Sequence, residues 1–206
     1  FAFVLVDLAR GEFLAARDPF GIKPLYFLAS GAGLALASEM RSFAGLPGRL
    51  RFVPPGHYVT RQGLARYYKA PPRRWFRRRV PLRRLLEEAV ISHVPSEGPC
   101  GVLLSGGLDS SIVAALVARV RPDAVAYTVT LPGAPDEAAA SEVAEHLGMR
   151  HVVLRPSEED VQEALAATVD HLENFHPIMV RNALPLYLIA RRAAQDTKVL
   201  LGGDGA

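Results

Sequence analysis

The chain has 206 residues, half of them hydrophobic, and a formal net charge of +3. That length supports one large domain or two modest ones, and no apolar run approaches the ~20 residues needed to span a bilayer. Cys100 is the only cysteine, which excludes an internal disulfide and a cysteine-rich metal site and fits a reducing cytoplasm. The charge is uneven: residues 71–84 hold seven arginines and no acid, so the remainder of the chain sums to −4.

Residues 1–68 read as β-rich. Phe1 to Leu8 is apolar with β-formers, Arg10-Gly11 marks a turn, and Glu12 to Arg17 completes a hairpin. Asp18-Pro19-Phe20-Gly21 carries turn chemistry. Strands follow at Pro24–Leu28 and Leu34–Ser38, with a short helix from Glu39 to Ala44. Pro54-Pro55-Gly56 turns the chain into His57–Thr60, and Leu64–Tyr68 closes another hairpin.

Residues 69–81 read as a linker, with prolines at both ends of Pro71-Pro72-Arg73-Arg74-Trp75-Phe76-Arg77-Arg78-Arg79-Val80-Pro81 and no apolar period. Arginines interleaved with two aromatics are one nucleic-acid signal, but a basic patch alone supports only salt-sensitive, nonspecific binding. A solvated connector is the preferred reading, because the surface elsewhere is acidic.

From Leu82 the period becomes helical, with Leu82, Leu85, Leu86, Ala89, Val90 and Val94 on one face. A strand ending Val102-Leu103-Leu104 follows, then the polar loop Ser105–Ser111, then a helix over Ile112–Arg119. Next come a strand at Ala124–Thr130, a helix from Asp136 stopped by Gly148, and a strand at His151–Leu154. Ser157 is placed to cap a helix with Glu158, Glu159 and Asp160 in its first turn. A last helix, Leu184–Ala194, precedes the strand Lys198–Leu201. Strands alternating with helices predict a parallel sheet covered on both faces, with ligands at the carboxyl ends of its strands, where Ser105, Val129 and Gly202 fall. His171 and His176 are five apart, which suits no single helical face, so no metal is expected there.

The strand–loop–helix at Ser105–Ser111 is an anion site by construction. Unpaired N–H groups of the first helical turn and the helix dipole favour phosphate, and Gly106 and Gly107 let the backbone come close. The spacing is neither GxxxxGK[ST] nor GxGxxG. Ser105-Gly106-Gly107-Leu108-Asp109-Ser110-Ser111 resembles the pyrophosphate loop, SGGxDS, of the N-type ATP pyrophosphatases, which split ATP between its α and β phosphates.

Two further resemblances narrow the family. Phe1–Asp7, Arg17-Asp18-Pro19-Phe20-Gly21-Ile22-Lys23-Pro24-Leu25-Tyr26 and Ala37-Ser38-Glu39-Met40 resemble the rear half of a class II, Ntn-type glutamine amidotransferase domain. That family's nucleophile is an N-terminal cysteine, which would lie upstream of Phe1. Ala124–Gly148, Arg181-Asn182-Ala183-Leu184-Pro185-Leu186-Tyr187-Leu188 and Leu200–Ala206 resemble the synthetase half of glutamine-hydrolysing asparagine synthetases. The expected architecture is thus a partial amidotransferase domain (1–68), the linker (69–81) and a partial α/β domain with a doubly wound parallel sheet of PP-loop type (82–206). Both ends read as cut from a longer protein, since the chain opens inside a strand-like run without Met and stops where a helix should follow Leu201.

The resemblance implies roles. Leu104 and Val129 would contact ATP at their strand ends. Ser105, Gly106, Gly107, Asp109, Ser110 and Ser111 would hold the pyrophosphate, and Asp109 would also bind Mg²⁺. Gly202 and Gly203 would approach the nucleotide. Asp204 would stand where a carboxylate takes a proton from ammonia, and Arg181 would stabilise phosphoryl or carboxylate charge. The implied partners are ATP, aspartate or a related acid, and glutamine or ammonia, with no nucleic acid and no membrane, and a homodimer of the parent protein is compatible with the family. The sequence departs from the family pattern at Gly202 (usually serine), at Asp204 (usually glutamate), and at Ile178 and Met179, where threonines commonly precede the arginine. The apolar pair leaves open a different acceptor, as in lactam-forming synthetases. The sequence is also compatible with an RNA-modifying pyrophosphatase and with a non-catalytic piece.

Overall fold

The sequence forms eleven strands and five α-helices among the residues described by the structure, a computed structural model covering residues 1–31, 33–70, 81–130 and 136–203. The linker segment 71–80, the Leu131–Pro135 part of the second βα unit, and Asp204 lie outside the described residues. By internal contacts the chain divides into two units, Phe1–Arg77 and Arg78–Ala206.

In the first unit, β1 (Ala2–Asp7) and β2 (Glu12–Arg17) form the predicted hairpin, which continues through β6 (His57–Thr60) to β7 (Gly63–Arg66). A second antiparallel sheet runs β4 (Gly33–Ala37), β3 (Tyr26–Ser30), β5 (Arg49–Phe52). Phe13 and Ala15 of β2 and Val59 of β6 gather with Leu25, Phe27 and Val53 into the core of this unit. The strand period of two delivers one face of each sheet to that core.

Two readings from the sequence are corrected here. The segment expected to be a helix from Glu39 is a single 3₁₀ turn, Met40–Phe43. Strand β5 is absent from the sequence reading: Arg49-Leu50-Arg51-Phe52 looks like charged loop, yet it alternates at the strand period and pairs Leu50 with Leu28. Gly48 admits this pairing, because a Cβ there would lie 2.8 Å from Leu28 Cδ2.

The string Arg17–Tyr26 is the knot of this unit. Arg17 donates from Nε to the Lys23 carbonyl (2.8 Å), and from its two terminal nitrogens to Val53 (2.9 Å) and Gly21 (2.9 Å). The buried Asp18 carboxylate accepts from the Phe20, Ile22 and Lys23 amides at 3.0–3.1 Å, and the Phe1 nitrogen lies 3.2 Å away. Tyr67 Oη donates to the Arg17 carbonyl at 2.8 Å. These partners of the Arg17 guanidinium and the Asp18 carboxylate are main-chain groups, so the pair sets the path of the chain between β2 and β3.

In the second unit, β8 (Cys100–Leu103), β9 (Val125–Val129), β10 (Arg150–Leu154) and β11 (Val199–Leu201) form one parallel sheet in the order β10-β9-β8-β11. The connecting helices are α2 (Leu108–Val120), α3 (Asp136–His146), α4 (Glu158–Leu172) and α5 (Pro177–Ala193), preceded by α1 (Leu82–His93). Side-chain parity splits the helices between two faces. Cys100, Val102, Leu104, Ala124 and Ala126 pack with α2 and α3. Leu103, Val125, Tyr127 and Val129 pack with Ile189 and Ala193 of α5. Right-handed crossovers require this: the chain steps outward from β8 to β10 over one face and returns over the other to add β11 beside β8.

Helix α5 begins seven residues earlier than the sequence suggests. The expected start is Leu184, but Pro177 takes the first-turn position and Pro185 sits inside the helix. Pro185 has no N–H to offer the Arg181 carbonyl, so one rung of α5 is lost on the cleft side. Helix α4 starts as predicted. Ser157 Oγ accepts from the Asp160 amide (3.1 Å), and the Asp160 carboxylate accepts from the Ser157 amide (2.8 Å), a complete capping box. Ser157→Ala is expected to lower stability by about 1 kcal/mol, measured by urea unfolding.

Candidate functional site

The site lies where the sheet changes winding direction. The crossover leaving β8 packs on one face of the sheet and the crossover entering β11 on the other, so the winding reverses between these two adjacent strands, and ligands of such sheets sit at the carboxyl ends beside that point. A cleft of about 420 Å³ occupies this position. Leu104, Ser105, Asp109, Ser110, Val129 and Gly203, all expected from the sequence, line it together.

The phosphate loop is held by its own hydroxyls. Ser110 Oγ accepts from the Ser105 amide (3.2 Å) and donates to the Gly107 carbonyl (3.1 Å), with Ser105 Oγ 3.0 Å away. Ser111 Oγ donates to the same Gly107 carbonyl at 2.7 Å. Gly107 is the N-cap of α2, so the helix begins at Leu108 rather than at the predicted Ile112, and Asp109 stands exposed in the first turn. Backbone N–H groups at this end have no intrahelical acceptor and point to where an anion would lie.

The glycines have different tasks. Gly106 has φ +76°, and a Cβ on it would lie 2.5 Å from Ala139 Cβ and 2.6 Å from the Ala140 nitrogen, so the loop rests directly on α3. Gly203 packs on the start of α2, where a Cβ would sit 3.0 Å from the Ser110 nitrogen. This contact joins the β11 loop to the phosphate loop across the crevice.

Other expected residues fall elsewhere. Gly106, Gly107 and Ser111 shape the loop from outside the cleft lining. Gly202 is exposed and borders a separate cavity of about 460 Å³ with Leu86, His93 and Val113. Arg181 is exposed and does not line the cleft, whereas its neighbour Asn182 does.

One wall is not apparent from the sequence. Tyr127, Pro185, Leu186 and Ile189 close the cleft on the α5 side, and Asp136 at the start of α3 borders it. Parity is the available signal: Tyr127 and Val129 share a face with Leu103. Gly101 makes room for the Tyr127 ring, since a Cβ there would be 2.8 Å from Tyr127 Cε2. Tyr127 Oη donates to Asp196 Oδ2 (3.0 Å), which also accepts from Arg192 (2.8 Å). Burial, with the Asp196 bond, pushes the Tyr127 phenol up, and the Arg192 and Tyr127 bonds hold Asp196 below the usual carboxylate range. The cleft thus pairs an apolar slot suited to a flat base with a polar end rich in N–H and hydroxyl groups.

Residues 81–206 match the family model described as asparagine synthase. The chain belongs to the asparagine synthase family. Residues 1–45 match the glutamine amidotransferase domain model, so the amidotransferase–synthase order read from the motifs stands. The chain is 36% identical over 230 residues to asparagine synthetase [glutamine-hydrolyzing] 2 of Arabidopsis thaliana, covering 100% of this chain and 39% of that protein. It is 34% identical over 233 residues to asparagine synthetase B [glutamine-hydrolyzing] of Escherichia coli (strain K12), covering 100% of this chain and 42% of that one. The chain therefore spans about two fifths of these relatives' length. Among solved structures, a glutamine-dependent NAD+ synthetase from Acinetobacter baumannii in complex with ADP aligns over 75% of this chain and 30% of its own, at 14% identity and a TM-score of 0.45. Among the described residues of this asparagine synthase family member, no helix is long and apolar enough to cross a membrane.

Proposed function

We propose that the parent protein is a glutamine-dependent, ATP-consuming amide ligase of the asparagine synthase type, acting in the cytoplasm. The observation that carries this is the convergence of Ser105, Asp109, Ser110, Val129 and Gly203 in one cleft at the sheet's switch point. ATP would place its base against Leu104, Val129 and the α5 wall and its phosphates on the Ser105–Ser111 loop. An acceptor carboxylate, that of the aspartate side chain, attacks the α-phosphorus, its oxygen–phosphorus bond forms as pyrophosphate leaves, and ammonia then displaces AMP to give the amide. Asp204 would take the ammonia proton and Arg181 would stabilise developing charge. Residues 1–68, joined by 69–81, would belong to the half that frees ammonia from glutamine, and 82–206 to the synthetase half. A homodimer is the proposed assembly of the parent.

Mg²⁺ fits the donor set: two carboxylates, Asp109 and Asp136, border the cleft, and Mg²⁺ is commonly held by one or two carboxylates plus substrate phosphates. Asp109 would hold it, with Asp136 bordering the same cleft, and the ion would neutralise phosphate charge.

A second reading keeps this chemistry and changes the acceptor. Ile178 and Met179, on the first turn of α5 ahead of Asn182, are 64% and 50% exposed. An apolar pair where the family commonly has threonines would favour an acid less polar than aspartate.

Pyrophosphate release by the full-length protein is the test. Aspartate and glutamine together should elicit pyrophosphate and AMP in equal amounts, and Asp109→Asn should lower turnover by about 10²–10³-fold. Release with a less polar acid but not with aspartate selects the second reading. Release that needs RNA and ignores carboxylic acids overturns both.

A further inference from the structure

Three adjacent strands are tied together, from the carboxyl ends of β8 and β9 to the second residue of β10, by side chains that none of the roles above uses. Thr128 Oγ1 of β9 lies 2.5 Å from the Leu104 carbonyl, at the end of β8, and 2.8 Å from His151 Nε2 of β10. Thr128 and Leu104 are 3% and 2% exposed. A hydroxyl has one proton to give. The carbonyl can only accept, so that proton goes to Leu104, and His151 must then donate its Nε2–H to Thr128. Burial holds the His151 imidazole below its usual value, so it is neutral at pH 7. The relay therefore has one direction, from His151 through Thr128 to Leu104.

The Leu104 carbonyl belongs to the peptide bond that starts the phosphate loop, since Ser105 is the next residue. On its other side Leu104 donates its amide to the Tyr127 carbonyl at 2.9 Å. Its peptide groups are thus fixed both by the sheet ladder and by the Thr128 hydroxyl. The loop is then constrained twice: at its root by this relay and at Gly106 by contact with α3. Helix α3 is itself tied to the end of β10 by the Glu137–Arg155 ion pair.

We propose that Thr128 and His151 are positioning residues for the phosphate loop: through the Leu104 carbonyl they fix the strand end from which Ser105–Ser111 departs, and polyphosphate affinity depends on them. The inference rests on the nucleotide reading of the cleft. It separates the two ends of the site, because Thr128 holds only the Leu104 carbonyl at the head of the phosphate loop, whereas most of the surface that would hold the base, Val129 and the α5 wall, lies outside that bond.

The experiment measures binding of inorganic pyrophosphate and of adenosine to the full-length protein, well below its unfolding temperature. Thr128→Val keeps the shape and removes the hydroxyl. It should weaken pyrophosphate binding about three- to tenfold, the equivalent of one buried hydrogen bond, and leave adenosine binding within about twofold. Thr128→Ser should restore pyrophosphate binding. Equal weakening of both ligands, or a serine variant as impaired as valine, overturns the proposal, because a purely structural defect would give that result. If the valine variant does not fold, His151→Phe carries the test: it leaves the Thr128–Leu104 bond and should weaken pyrophosphate selectively, and unchanged binding overturns the relay. Failure of the unsubstituted protein to bind pyrophosphate overturns the nucleotide reading itself, whereas binding that ignores Thr128→Val overturns this inference alone.

Discussion

Gly106→Ala is expected to abolish nucleotide binding, with a loss of at least about 10²-fold in affinity for ATP. Two independent costs fall on this residue. Its φ of +76° lies in the left-handed region, where a Cβ costs about 1–2 kcal/mol. The added carbon would also stand 2.5–2.7 Å from Ala139 Cβ, the Ala139 carbonyl carbon and the Ala140 nitrogen. Two of those atoms are helix backbone, which cannot swing aside as a flexible side chain could. The loop must therefore lift off α3, which carries Ser105 and Gly107 away from the Ser110 hydroxyl that joins them. Titration calorimetry with ATP and with pyrophosphate would measure the loss. Gly107→Ala is the informative comparison. A Cβ there would meet only Ser105 Oγ, at 3.4 Å, so any loss of affinity at Gly107 without loss of stability measures how closely the anion itself approaches. Wild-type affinity in Gly106→Ala would show that contact with α3 does not place the loop.

Asp18→Asn is expected to lower the unfolding midpoint of the first unit by on the order of 10 °C. The buried carboxylate collects three backbone amides and the Phe1 nitrogen on its two oxygens. Asparagine offers one acceptor oxygen and turns an NH₂ toward donors, leaving buried N–H groups without partners. Hydrogen exchange at the amides of Phe20, Ile22 and Lys23 reports this locally. Burial alone would raise the Asp18 carboxyl, but the bonds from Lys23, Ile22, Phe1 and Phe20 outweigh it and hold the group far below the usual carboxylate range. The sign of the pH dependence follows. A depressed folded value gives stability that is complete above the ordinary aspartate value of 3.8 and lost as pH falls below it toward the folded value. Protection of these amides in the unsubstituted chain should therefore decline between pH 4 and lower pH, and that component should be missing from Asp18→Asn. A protection profile flat in pH would mean that the carboxylate is not what holds this turn.

These two residues show how motifs can be legible while their reasons are not. Arg17-Asp18-Pro19-Phe20-Gly21 stands out in the sequence as part of a string resembling the rear half of a class II glutamine amidotransferase domain. The structure gives it a local architectural task, because the partners of Arg17 and Asp18 are backbone groups of residues 1, 20–23 and 53. Gly106 and Gly107 read alike in sequence, as two glycines in an anion loop. Only the packing of α3 separates them.

Features governed by local chemistry and periodicity are readable from the order of residues alone. The Ser157–Asp160 capping box, the strand ends at Leu104 and Val129, and the loop Ser105–Ser111 are encoded within a few residues of where they act. Alternation of strand and helix then implies the parallel sheet and its ligand edge. Features that depend on partners distant in the chain are settled only by packing. Arg49–Phe52 becomes a strand because β3 offers it an edge. Helix α5 runs through Pro185 because Val180, Leu188 and Ile189 are buried along it, and that burial outweighs one missing rung. The wall of Tyr127, Pro185 and Ile189, and the tie from His151 through Thr128 to Leu104, join residues 23 or more positions apart. No local preference announces such contacts, because the free energy that fixes them arises only when the strands and helices have packed.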